Sequence, residues 1–138
     1  MKNLTGKRKF RFNKLVRDGV LEEWTQENVI AKVVFLDNKE FTQALLHKLQ
    51  EETQEVVECT QKEHLKKELG DVLEIVHQIA KNAGISIEEI EETRKEKLAK
   101  YGVWEKRLFV EWATFPVEHP TVDYCSNNAD RFPEIVDE

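Results

Sequence analysis

Two stretches, LQEETQEVVE at residues 49–58 and KKELGDVLEIV at residues 66–76, pose the same problem. Both are written like the apolar face of a helix, yet carboxylates stand where leucines and valines belong. An α-helix turns about 100° per residue. On a helix over roughly residues 40–59, Phe41, Ala44, Leu45, Leu49, Val56 and Cys59 share one face. Glu52 projects to the middle of that face and Glu55 lies on it. Glu51 sits at its edge, and Glu58 points away. A second helix over roughly 62–83 repeats the anomaly. Leu65, Leu69, Val72, Ile75, Val76 and Ile79 define its apolar face, with Glu68 among them, Asp71 at the border and Glu74 on the opposite side.

The connection near Gln61 and Lys62 is very short, which predicts an antiparallel hairpin. About its midpoint, Glu55 and Glu68 are equidistant, and so are Glu52 and Asp71. Each pair then sits at one level, and four carboxylates face one another in an apolar groove. Burying them unpaired costs several kcal/mol each. Protonation or a hard divalent cation would relieve that cost. An all-oxygen site suits Mg²⁺, Mn²⁺ or Ca²⁺. Mg²⁺, which keeps waters and shares substrate phosphates, is the natural candidate, with Mn²⁺ as the substitute. A solvated acidic face is the competing reading for either pair alone. The symmetry about a tight turn favours the metal site.

A third helix is predicted over 87–101, opened by Ser86 and Glu89 at capping-box spacing and closed by Gly102. Arg94 and Lys97 project onto its apolar face with Ile87, Ile90, Leu98 and Tyr101. An inward basic pair opposite an acidic cluster suits a phosphate chain. The alternative is that both simply pair with glutamates. Lys14 and Arg17 in NKLVRD form a further basic pair at i, i+3 that would suit phosphate. Trp104 would stack on a base or sit in the core.

Thr60 and Glu63 have capping-box spacing before the second hairpin helix, and Gly84 suits its end. Residues 12–27 suit a short first helix interrupted near Gly19. The β-branched run 29–36 and the run 106–112 suit two short paired strands. Residues 113–138 hold all three prolines and predict an extended tail on the body or on a partner subunit. The expected fold is therefore all-α, an antiparallel helical bundle with a small two-stranded β element. Residues 1–112 form the domain and 113–138 a C-terminal extension.

The net charge of −6 argues against a stable nucleic-acid complex. The basic start, with Lys2, Lys7, Arg8, Lys9 and Arg11, reads as a solvated arm. Cys59 and Cys125 lie far apart without metal spacing, which favours a reducing compartment. The start MKNLTGKRKF has no apolar leader, and no run of about 18 apolar residues occurs. A cytoplasmic protein without membrane partners is expected. The histidines form no zinc motif, and there is no Walker loop, dinucleotide fingerprint or nucleophile elbow.

EETQE followed by ELGD resembles the E-E-x-x-E … E-x-x-D pattern of the all-α nucleotide pyrophosphohydrolases, a group that includes MazG-like and phosphoribosyl-ATP pyrophosphohydrolase-like enzymes. The flanks FNKLVRD, KLQEETQE, KKELGDVLEIV, GISIEEI and RKEKLAKYGVWEKRLFV resemble one branch in the same order, over roughly residues 12–110. The resemblance implies a homodimeric or homotetrameric helical enzyme that cleaves nucleoside triphosphates between the α and β phosphates, releasing pyrophosphate. It implies Glu52, Glu55, Glu68 and Asp71 as Mg²⁺ ligands, Glu51 as the group that activates water with Glu52, and Lys97 and Arg94 as phosphate ligands. The chain departs from that branch at Tyr101, Gly102, Val103 and Trp104, where R-G-G-F is usual. The rival functions are a nucleotide-binding module without turnover and a helical dimerisation protein.

Overall fold

The computed structural model describes residues 6–136, so Lys2 of the basic arm lies outside the described residues. It contains five helices among them: α1 (Asp18–Gln26), α2 (Asn38–Glu58), α3 (Lys62–Asn82), α4 (Ile87–Tyr101) and α5 (Pro120–Ser126). The chain divides into two units, Met1–Lys97 and Leu98–Glu138, with the boundary inside the last turns of α4.

The first unit is organised by the α2–α3 hairpin. Asp37 starts α2 with a capping box: its carboxylate accepts from the Glu40 N–H at 2.8 Å, and Glu40 accepts from the Asp37 N–H at 3.1 Å. The predicted α2 face packs inward, with Leu45 buried and Phe41, Ala44, Leu49, Val56 and Cys59 half-buried. From α3, Ala80 is buried and Val72, Ile75, Val76 and Ile79 are half-buried, whereas Leu65 and Leu69 stay exposed. At the open end of the hairpin, Asn82 Nδ2 donates to Thr42 Oγ1 at 2.8 Å and ties α3 to α2. Gly84, at φ +71°, ends α3 in the left-handed conformation that a side chain would resist. Ser86 and Glu89 form the predicted capping box of α4. Trp24 of α1 and Phe12 meet in a T-shaped arrangement, their ring centroids 5.4 Å apart.

Four expectations are corrected. No strand occurs among the described residues: 29–36 and 106–112 have no ladder partner, with Phe35 94% and Phe109 88% exposed. A β-branched run becomes a strand only when a neighbour supplies the inter-strand hydrogen bonds, and two strands alone are marginal in water. Thr60 does not cap α3. Cys59 stays extended to reverse the chain, and Gln61 becomes the N-cap without a side-chain bond. Gly19 does not interrupt α1; the helix starts at Asp18 and takes Gly19 into its first turn. The tail is not wholly extended: His119 Nδ1 accepts from the Thr121 N–H at 3.2 Å, and Pro120 opens α5.

Candidate metal centre

The capped start of α2 and the short reversal into α3 set the rotational phase of both helices. Glu52, Glu55 and Glu68 converge, each offering a carboxylate oxygen, and these oxygens lie within 4.8 Å of one another. Glu52 is buried, Glu68 half-buried and Glu55 exposed, so the group opens to water on one side. Glu52 Oε2 and Glu68 Oε2 are buried and accept no hydrogen bond. A buried carboxylate oxygen without a donor is costly. Burial, and then the adjacent Glu55 carboxylate, push the Glu52 carboxyl above the usual carboxylate range, against the pull of Lys48. Three carboxylates with two orphaned oxygens are a donor set that fits a hard divalent cation.

Three cations pair with carboxylates of the hairpin. Lys48 Nζ lies 3.4 Å from Glu52 Oε1 and 3.6 Å from Glu51 Oε2. Sequence reasoning missed Lys48, although its i, i+3 and i, i+4 spacing to Glu51 and Glu52 carried the signal. Lys14 Nζ lies 2.5 Å from Glu51 Oε1. That hydrogen bond holds Glu51 below its usual carboxylate range and raises Lys14 in return. Arg17 Nη2 donates to Asp71 Oδ1 at 2.8 Å. The half-buried Cys59 follows α2, and burial, then Glu68 and Glu55, push its thiol up and keep it protonated.

Of the four carboxylates expected to face one another across the hairpin, Glu52, Glu55 and Glu68 come together. Asp71 stands outside their group, and its Oδ1 accepts from Arg17. Glu51 lies beside Glu52 on α2 and faces Lys14 and Lys48. Lys14 and Arg17 both reach carboxylates at this site. Arg94 instead forks onto Glu91 within α4, at 2.8 Å from Nε and 2.6 Å from Nη2, on an exposed surface. Lys97 is exposed on the same helix. Trp104, in the second unit, is 94% exposed. Among the described residues no helix is long and apolar enough to cross a membrane.

Residues 41–101, from the first turn of α2 to the end of α4, match the family model for the MazG nucleotide pyrophosphohydrolase domain. No curated protein and no solved structure matches the chain.

Proposed function

We propose that this MazG-like chain hydrolyses a nucleoside triphosphate to the monophosphate and pyrophosphate, with Mg²⁺ held by Glu52, Glu55 and Glu68 and completed by Asp71. The observation that carries the reading is the pair of orphaned oxygens, Glu52 Oε2 and Glu68 Oε2, inside an all-oxygen triad. Bound Mg²⁺, or Mn²⁺ in its stead, would neutralise phosphate charge and lower the pKa of a water. Glu51, kept ionised by Lys14, is suited to accept the proton of that water, with Glu52 beside it. Lys14 and Arg17 supply positive charge for the phosphate oxygens. Lys97 would add to them, and Arg94 would do so only by releasing Glu91. Cleavage at the α–β bond rests on the family.

The same proposal takes the chain to be a homodimer or homotetramer. Leu46, Leu65, Leu69 and Leu73 of the hairpin are exposed, and a second hairpin would cover them. We place the activity in the cytoplasm, where surplus or non-standard nucleotides would be removed.

The test is a panel of nucleoside triphosphates with pyrophosphate detection, run on wild type, Glu52→Gln and Glu68→Gln. Wild type should release pyrophosphate only with divalent metal, and both variants should lose at least about a hundredfold in rate while remaining folded. Nucleoside diphosphate and free phosphate as products would overturn the bond assignment. Binding without pyrophosphate release would make the chain a nucleotide-binding module.

A further inference from the structure

Seven of the chain's lysines and arginines fall in residues 1–17, and none of its 27 aspartates and glutamates does. The net charge of −6 thus averages a basic arm and a strongly acidic body. Within the arm, Lys7, Arg8, Lys9, Phe10, Arg11 and Phe12 are all exposed and lie in neither helix nor strand. The arm is nevertheless tethered at two points. Lys7 Nζ donates to the Asn28 carbonyl oxygen at 2.8 Å, just beyond α1, and Phe12 meets Trp24 within α1. Between these tethers stand Arg8, Lys9, Phe10 and Arg11. The Arg8 guanidinium lies over the Phe10 ring, 5.2 Å from its centroid, and Phe10 is still 64% exposed. Among the described residues, Arg8, Lys9 and Arg11 form no ion pair.

We infer that residues 8–11 are a platform for single-stranded nucleic acid, of low affinity and high salt sensitivity. Cations beside an exposed aromatic ring are the chemistry that such a strand needs: the cations track its phosphates, and the ring stacks on a base. The tethers lower the ordering cost, because the strip does not have to be immobilised from a free chain. A duplex suits it less. Its bases are already stacked, which leaves Phe10 without a partner, and its breadth brings phosphates toward α1, which carries Asp18, Glu22 and Glu23. A flat anionic membrane would likewise set its headgroups against the acidic body. A single strand is narrow enough to follow the arm alone. The inference is independent of the metal centre.

The test uses the full chain in EDTA, so that no metal bridges phosphate to the carboxylates. The probe is a dye-labelled oligothymidylate of about twelve nucleotides without a terminal phosphate. Fluorescence anisotropy is read from about 50 to about 200 mM salt. Wild type should bind, and the logarithm of its affinity should fall against that of salt with a slope of about −2, for three phosphate contacts at about −0.7 each. Lys9→Gln with Arg11→Gln should flatten that slope by about 1.4. Phe10→Ala should weaken binding about tenfold and leave the slope unchanged. Both variants alter exposed side chains and should melt as wild type does. A duplex of the same length should bind more weakly than the single strand. Absence of binding by wild type, equal affinity for the duplex, or binding that both variants leave unchanged overturns the platform. Binding to phosphatidylserine vesicles but not to oligothymidylate also overturns it and makes the arm a membrane contact.

Discussion

A carboxylate that is 8% exposed, with one oxygen near Lys48 and the other bonded to nothing, holds its proton more tightly than it does in the unfolded chain. The sign for Glu52 follows. Its folded pKa is raised, so this residue favours the metal-free fold at low pH. That contribution disappears as pH rises through the raised value. Mg²⁺ competes with the same proton. The rise in melting temperature on adding Mg²⁺ should therefore be larger near about pH 8 than near about pH 5. Glu52→Gln should abolish most of the Mg²⁺ response and leave the metal-free protein no less stable. Thermal melts at both pH values with and without Mg²⁺ decide this; an equal Mg²⁺ response in the variant would return Glu52 to a merely structural role. Glu52, Glu55 and Glu68 were legible from sequence because helical periodicity and a short turn fix their relative positions. The state of Asp71 was not, since its partner Arg17 lies on a distant stretch of chain about which periodicity says nothing.

Helix ends divide the same way. Ser86 and Glu89 were readable because the bonds that make a capping box span only three residues. Thr60 and Glu63 have the same spacing, yet the tight reversal claims Thr60 for the connection and leaves Gln61 as N-cap. Ser86→Ala should cost about 1 kcal/mol in chemical denaturation, and Thr60→Ala should fall within about 0.5 kcal/mol of wild type. Equal losses in the two variants would contradict these cap assignments. The runs 29–36 and 106–112 misled because β propensity measures fit to a pleated neighbour, and no neighbouring strand exists among the described residues. The short helix α5 was missed although His119, Pro120 and Asp123 form a legitimate start signal; its length leaves almost no periodicity to detect.

At the scale of the molecule, the hairpin buries few side chains completely: Leu45 and Ala80 are its buried apolar residues. Val57, Leu65, Leu69 and Leu73 remain exposed along it. If a second copy covers this surface, the melting temperature should rise with protein concentration, and Leu69→Glu with Leu73→Glu should yield a monomer of lower stability in sedimentation. A wild-type monomer with concentration-independent melting would refute that arrangement. The hairpin also has a consequence in time. All three convergent carboxylates belong to two helices joined by a short reversal, so their contacts close small loops and form early in folding. Like charges meet while the chain is still condensing, and their repulsion falls on the folding barrier. Glu68→Gln should speed refolding more than it slows unfolding, and Mg²⁺ should speed refolding of the wild type while leaving that of the variant unchanged, as stopped-flow measurement of both arms would register.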